Sequence, residues 1–377
     1  MAKIILVGSA FPFRGGLATF NERLCRELIA AGHDAEIYTF TVQYPSFLFP
    51  GKSQYSDSPQ PAGLRISRKV NSINPLNWIR IGNEIRNKNP DLLLFKYWLP
   101  FMGPCFGTIS IRVKKNRHTK TVAILDNVIP HEKRIGDESF TRYFLRSCNG
   151  FVTMSSTVTN DLKKFISNPV ITQHPHPLYD SFGNLIPREE AIKLLGLSED
   201  SRYLLFFGFI RKYKGLELAI RVMAEPEVMK RNLKLIVAGE FYEDAKPYLD
   251  LINELNLHNR IILRTEFIPD EEVSKYFSAA DLLVLPYRSS TQSGVTQIAA
   301  HFNKPVVVTR VGGLPELVKE GVTGFCVDPA ADAIARAIVS FYDKNLVATM
   351  PMAIDKEKAA YSWKSFVAML MELLGKL

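Results

Sequence analysis

Closely spaced cysteines, an unbroken apolar run and acidic residues in the first half are what this sequence of 377 residues has little of. Its four cysteines, Cys25, Cys105, Cys148 and Cys326, share no short spacing, which argues against a disulfide framework or a cysteine zinc site and suits a reducing, cytoplasmic compartment. No Asp, His or Cys cluster has the spacing of metal ligands, so no metal is expected. The start, MAKIILVGSAF, has one Lys and an apolar run too short for a secretory core, and reads as a first buried strand. Residues 92–111 come nearest to a membrane span, but Lys96, Pro100, Gly103 and Pro104 interrupt them. A spanning helix needs about 20 mostly apolar residues, so the stretch fails as a span while remaining able to touch a membrane surface. Through residue 180 there are 13 acidic against 23 basic residues, and beyond it 25 against 24, so the net +9 sits in the first half.

What is present is an ordinary globular composition, 46% hydrophobic and 23% charged. At about 100–200 residues per domain it predicts two domains with full cores. Short apolar runs alternate with amphipathic stretches, the pattern of strands and crossover helices in parallel sheets covered on both faces. Strands are expected at 4–7, 36–40, 92–95, 122–125 and 151–154, then at 203–207, 233–238, 261–263, 282–285 and 306–308. Helical spacing is clear at Leu17, Phe20, Leu24 and Leu28, and helices are expected near 216–224, 244–255, 271–279 and 295–303. Each half is therefore read as a doubly wound α/β unit of the Rossmann type, residues 1–180 and 190–358. The aperiodic stretch from His174-Pro175-His176-Pro177 to Pro187 reads as the linker between them. A last helix near 363–374 carries Phe366, Met369, Leu370, Leu373 and Leu374 on a face that must be buried, with Gly375 as its stop.

In open parallel sheets ligands bind beyond the carboxyl ends of the strands, so the loops that follow strands are the informative ones. After the first strand, Gly15 and Gly16 precede a helix and would let backbone amides approach an anion; a plain turn is the alternative. The spacing does not supply the G-x-G-x-x-G dinucleotide fingerprint. A second loop, from Gly208 to Gly215, holds Arg211, Lys212 and Lys214 between a strand and a helix. Arg211 can present a fork to two phosphate oxygens and Lys214 adds a point charge, against the alternative of a solvated basic turn. A third, Pro286 to Gly294, offers hydroxyls and amides at a helix start through Ser289, Ser290, Thr291, Gln292 and Ser293, with Ser293 a natural N-cap. A fourth, Gly312-Gly313, permits close backbone approach or simply a tight turn. Together these loops point to a phosphorylated, sugar-like ligand in a cleft between the domains.

At these residues the chain resembles glycosyltransferase family 4, retaining enzymes of the GT-B fold. The likeness is carried by FPFRGGLATFNERL, GFIRKYKGLELAI, FIPDEEVSKYFSAADLLVLPY, SGVTQIAAHFNKPVVVTRVGGLPELV and the terminal SWKSFVAMLMELL, and runs over nearly the whole chain. It implies a nucleoside diphosphate sugar as donor substrate with no further cofactor, bound mainly by the second domain, and an acceptor on the first. Arg211 and Lys214 would then hold the donor pyrophosphate, with Gly16 contributing from the other domain and Gly208 in the same loop, while Phe267 and Ile268 lie where the nucleobase would rest. The final helix, 360–377, would complete the first domain.

Two departures stand out. The family commonly has two Glu separated by seven residues; here the region reads SSTQSGVTQIAAHF, with Thr291, Gln292 and Ser293 near the first position and Gln297 or Ile298 near the second. Gln297 could still bond a ribose hydroxyl. Where the family often has His-Asp after the fourth strand, this chain has Asp126-Asn127 with His131-Glu132 following, and either Asp126 or His131 could contact sugar or acceptor. A turn cap and a surface histidine are the alternatives.

The expected chemistry is transfer of a sugar to a hydroxyl with retention at the anomeric carbon, the growing charge on the leaving pyrophosphate being met by Arg211, Lys214 and helix amides. The basic run Arg112, Lys114, Lys115, Arg117 and Lys120, directly after the apolar residues 97–106, suits an anionic membrane at its inner face or an acidic, lipid-linked acceptor; a buried helix followed by a solvated loop is the alternative. The rival readings are a nucleotide-sugar epimerase of the same fold, which would want carboxylates near 290–298, and a non-catalytic polysaccharide or nucleic-acid binder. Nucleic acid is not expected, because no sheet face interleaves aromatic and basic residues.

Overall fold

The computed structural model describes residues 1–45, 53–56, 59–130, 134–291 and 293–377. The chain forms two compact units, Met1–Pro177 together with Tyr361–Leu377, and Leu178–Ala360.

In the first unit a seven-stranded sheet is built from β1 (Lys3–Val7), β2 (Asp34–Val42), β3 (Ile66–Asn71), β4 (Leu92–Tyr97), β5 (Lys120–Leu125), β6 (Gly150–Thr153) and β7 (Ile171–Gln173). Their order is β3-β2-β1-β4-β5-β6-β7, and every pairing is parallel. The crossovers carry α1 (Gly16–Ala30), α2 (Pro75–Lys88), α3 (Gly103–Val113), α4 (Asp137–Ser147) and α5 (Ser156–Lys163). Central strands are apolar on both faces, as a sheet covered by helices on each side requires, and β4 is buried at all six positions. On one face Ile5, Val7, Leu93, Phe95 and Tyr97 pack with Ile81 and Ile85 of α2, Phe106 and Ile109 of α3, and Phe144 of α4. Each such side chain contributes about 1.5–3 kcal/mol by leaving water. Helix starts follow local chemistry: Asn74 accepts hydrogen bonds from the amides of Leu76 and Asn77 just before Pro75 opens α2, and Ser155 accepts one from Val158 at α5.

The second unit opens with α6 (Arg188–Leu194) and holds six parallel strands: β8 (Arg202–Phe207), β9 (Leu233–Ala238), β10 (Ile261–Arg264), β11 (Leu282–Leu285), β12 (Val306–Thr309) and β13 (Gly324–Val327). Their order is β10-β9-β8-β11-β12-β13. Between and after them run α7 (Leu216–Val222), α8 (Pro226–Met229), α9 (Lys246–Glu254), α10 (Asp270–Ala279), α11 (Gly294–His301), α12 (Ala331–Asp343) and α13 (Leu346–Glu357). The chain then returns to the first unit as α14 (Trp363–Gly375), where Phe20 of α1 lies 5.0 Å from Trp363 and 6.0 Å from Phe366 between ring centres. Each sheet reverses direction beside its first strand, at β1/β4 and at β8/β11, and such switch points are where ligands settle in this architecture.

Three strands were not expected from the sequence. The outermost, β3 and β7, are half-exposed and read ISRKVN and ITQ, while β13 has only four residues beginning with glycine. The aperiodic stretch near the unit boundary is not a loose connector: His176, Tyr179 and Phe182 are buried in it. Gly375 is the last residue of α14 and has no positive φ, so the helix ends without a left-handed glycine cap.

Candidate functional site

In the second unit the loops after β8 and β11 lie side by side at the switch point, and their backbones touch. Gly215 has φ of +70°, and a Cβ there would overlap the carbonyl oxygen of Pro286. The loops after β11 and β12 meet in the same way at Gly312, φ +50°, whose Cβ would overlap the Ser290 carbonyl. Only glycine combines a left-handed backbone with no Cβ, so both contacts depend on it. Glycine here serves loop-to-loop packing rather than direct approach to a ligand.

Within the first of these loops Lys212–Lys214 make a single 3-10 turn that aims Lys214 inward. Lys214 is 8% exposed, and its ammonium has no hydrogen-bond or ion-pair partner among the described residues. It lies 5.8 Å from the centre of the Tyr287 ring. Burial first, and the charge of Arg211 second, push its pKa down to about 8. Arg211 is half-buried, its guanidinium 5.4 Å from the centre of the Tyr242 ring, and it too has no carboxylate partner among the described residues. Of the other cations of this neighbourhood, Lys212 is exposed and Arg288 is neutralised by Glu217. Lys214 and Arg211 are thus two cations without a carboxylate partner among the described residues, one of them buried.

Ser293 occupies the N-cap position of α11, but its hydroxyl does not cap the helix; it lies 3.4 Å from the Tyr287 hydroxyl instead. The first amides of α11 therefore keep no side-chain acceptor at the cap. Gly294 opens the helix, Thr291 is buried just before it, and Gln292 lies outside the described residues. Gln297, on the next turn, is 2% exposed and its Oε1 is buried without a partner among the described residues. Such an atom costs about 1–3 kcal/mol unless a ligand or water satisfies it.

Phe267 and Ile268, half-buried after β10, belong to a larger aromatic stack. Phe209 stacks on Phe267 at 6.2 Å and on Tyr242 at 4.3 Å, so the rings run from the β10 loop to Arg211. Sequence reasoning missed Phe209 and Tyr242, because each stands alone in its segment and only the sheet order brings them together. Glu240, 2% exposed, stands two residues beyond β9 in a loop that sequence reasoning did not single out.

In the first unit Gly15, φ +96°, stands at the N-cap of α1 and Gly16 is the exposed first helical residue. Asp126 follows β5, its side chain 13% exposed. Its amide donates to the Tyr97 carbonyl (2.9 Å), and its Oδ1 accepts from Lys96 Nζ at 2.7 Å. Lys96 is 1% exposed, and its ammonium lies 3.5 Å from the centre of the Phe20 ring. Burial pushes the Lys96 pKa down and Asp126 opposes that shift. Beside it His176 is pushed down to about 3, by burial and then by the Lys96 charge, so it stays neutral. His131 lies outside the described residues.

The basic run is placed elsewhere. Lys114, Lys115 and Arg117 sit between α3 and β5 and Lys120 opens β5, all at the amino edge of the sheet, separated from Asp126 by the length of β5, six residues or about 20 Å at ~3.3 Å per residue. Arg112 forks onto Asn83 Oδ1, Lys114 donates to the Ser147 carbonyl and Lys120 to the Leu377 carbonyl, while Lys115 and Arg117 are exposed. The apolar stretch before it is core, with Tyr97, Met102, Cys105 and Phe106 fully buried. It therefore cannot present those side chains to a membrane. Among the described residues no helix is long and apolar enough to cross one, and no three His, Cys, Asp or Glu side chains gather as metal ligands.

Comparison with known proteins matches both units. Residues 187–360 fit the family described as Glycosyl transferases group 1, and residues 14–174 fit Glycosyltransferase Family 4. An uncharacterized glycosyltransferase of Methanocaldococcus jannaschii is 25% identical over 88% of this chain and 87% of its own length. A D-inositol 3-phosphate glycosyltransferase of Streptomyces scabiei is 31% identical, over 54% of this chain and 48% of that enzyme. Among solved structures, sucrose-phosphate synthase of Thermosynechococcus elongatus superposes with a TM-score of 0.77 at 17% identity, covering 99% of this chain and 98% of that one. Anabaena HepE, solved in complex with UDP-glucose, gives 0.75 at 16% identity with both chains fully covered. WaaG, a glycosyltransferase involved in lipopolysaccharide biosynthesis, gives 0.71 at 17%, covering 97% of this chain and 99% of that one. These superpositions identify the fold as GT-B.

Proposed function

Because this chain belongs to glycosyltransferase family 4, we propose that it is a retaining transferase that moves a sugar from a nucleoside diphosphate sugar to a hydroxyl acceptor in the making of a cell-surface polysaccharide, lipopolysaccharide or glycolipid. The observation that carries the donor reading is Lys214: a buried ammonium without a counter-ion is costly, and a diphosphate is the partner that removes the cost. Arg211 and the open amides of α11 add to the same anion site, which Gly208, Thr291, Ser293 and Gly294 surround; Gln292 is assigned to the donor from its place in the sequence alone. Gln297 Oε1 takes a ribose hydroxyl, and the nucleobase rests near Phe267 and Ile268 against the aromatic stack. The complexes of HepE with UDP and UDP-glucose support this donor class.

In the reaction the bond from the anomeric carbon to the phosphate oxygen breaks and a bond from the acceptor oxygen forms on the same face. The acceptor proton passes to the departing phosphate oxygen. Charge grows on the pyrophosphate as the bond breaks, and Lys214 and Arg211 already stand there, so they stabilise the transition state more than the bound substrate. Their charge replaces that of a divalent ion, and transfer is expected to persist in EDTA. On the acceptor side Gly15, Gly16 and Asp126 line the carboxyl end of the first sheet, where Asp126 meets the acceptor hydroxyl; His131, five residues on in the sequence, is the second candidate for that contact. The charge excess of the first unit favours an anionic or lipid-linked acceptor, and Lys115 and Arg117 at its amino edge favour peripheral contact with an anionic bilayer.

A thermal-shift panel of UDP-, GDP- and ADP-sugars, followed by acceptor-dependent release of nucleoside diphosphate, tests the reading. Lys214→Ala and Arg211→Ala should each lower kcat about 100-fold or more. Wild-type rates in both would overturn it. Sedimentation with anionic but not neutral liposomes is expected if the bilayer contact is real.

A further inference from the structure

Lys96 is a buried cation that the donor chemistry does not use. It interrupts the apolar run of β4 at a position where Leu92 and Leu94 stand on the same face, and it lies at the β1/β4 switch point. Its stem passes 3.4 Å from where a Cβ at Gly8, just after β1, would stand, and Asn21 beside that turn keeps a buried Oδ1 with no partner among the described residues. A buried ion pair rarely stabilises a fold more than well-packed apolar residues would, so stability alone does not account for it.

Geometry gives another account. Two consecutive residues of β4 hold Asp126 at two points: the Tyr97 carbonyl accepts from its amide at 2.9 Å, and the Lys96 ammonium donates to its Oδ1 at 2.7 Å. The Phe20 ring lies 3.5 Å from the same ammonium, so Lys96 Nζ is held between an aromatic ring and the Asp126 carboxylate. We propose that Lys96 is a positioning residue for the transfer step, holding the Asp126 carboxylate in the orientation in which it meets the acceptor hydroxyl. This rests on the acceptor-side reading of Asp126.

The test compares wild type with Lys96→Met, Lys96→Gln, Asp126→Asn and the Lys96→Met/Asp126→Asn double variant. The readout is nucleoside diphosphate released from UDP-, GDP- and ADP-hexoses with water or octyl glucoside as acceptor, alongside Tm and the KM for the donor. Lys96→Met should lower kcat about 100-fold, the cost of a misplaced reacting group, with donor KM within twofold. Lys96→Gln, which keeps an N–H donor for Asp126, should recover part of that loss. In the Asp126→Asn background, Lys96→Met should change kcat by less than twofold, because the two residues act as one unit. Should Lys96→Met not fold, Lys96→Gln and the double variant carry the comparison. Folded Lys96 variants that keep the wild-type kcat, or that lose activity only in proportion to Tm, overturn this role and leave the transferase reading standing. A wild-type chain that releases no nucleoside diphosphate from any donor overturns both.

Discussion

At Lys214 two effects act in the same direction, loss of water and repulsion by Arg211, and they bring its pKa to about 8 against an ordinary 10.5. Between those values the unfolded chain binds the proton that the folded chain has lost, so stability rises with pH across that window, and below about pH 8 the folded protein bears the cost of a buried charge. That cost is on the order of 3 kcal/mol at pH 7. Lys214→Met should therefore raise Tm while removing donor binding. Binding runs the other way, since only the protonated ammonium pairs with a diphosphate. In wild type kcat/KM for the donor should be level below about pH 7 and fall as pH rises through about 8. Lys214→Arg should carry the charge past pH 10; a pH profile that still falls near 8 in that variant would assign the limb to another group.

At the level of elements, the loops of the second sheet touch backbone to backbone at Gly215 and Gly312. Because Gly312 combines a left-handed φ with contact on the Ser290 carbonyl, Gly312→Ala should strain the turn by about 1–3 kcal/mol and push the β11 loop away from its neighbours. The expected result is a lower Tm and a donor KM raised at least several-fold, checked by thermal melts and steady-state kinetics. Central strands such as β4 and β11 were legible because strands buried on both faces must be continuously apolar, whereas β3 and β7 at the sheet edge alternate too weakly to be seen. Lys214 was legible as a basic loop after a strand. The Phe209–Tyr242–Phe267 stack was not, because it draws one ring from each of three loops that only the order β10-β9-β8 makes neighbours. The placement of the basic run was not legible for a related reason: charge density is written in the sequence, but which edge of the sheet a loop falls on is fixed by the strand direction. Lys96 looked like a flaw in an apolar run, and its partner lies 30 residues away, just after the next strand.

On the scale of the whole molecule, the second unit is inserted in the first, since the chain leaves the first unit at Pro177 and returns to it at Tyr361. The closing helix is therefore a part of the first unit's core that arrives last. Trp363, Phe366, Leu370 and Leu373 are buried, the His174 ring meets both Phe366 and the Ser365 hydroxyl, and Lys120 Nζ donates to the Leu377 carbonyl. Four large side chains returned to water cost about 6–12 kcal/mol at ~1.5–3 kcal/mol each. A domain has a total stability of roughly 5–15 kcal/mol, so removing residues 361–377 should unfold the first unit. The second unit has its own sheet and core, so it should stay folded. Differential scanning calorimetry of the truncated chain should then show the loss of one of two transitions, with the surviving transition still raised by the nucleoside diphosphate that stabilises the full chain. Transfer to any acceptor should vanish. A truncated chain that retains both transitions would mean that the last helix is an accessory to the first unit rather than part of its core.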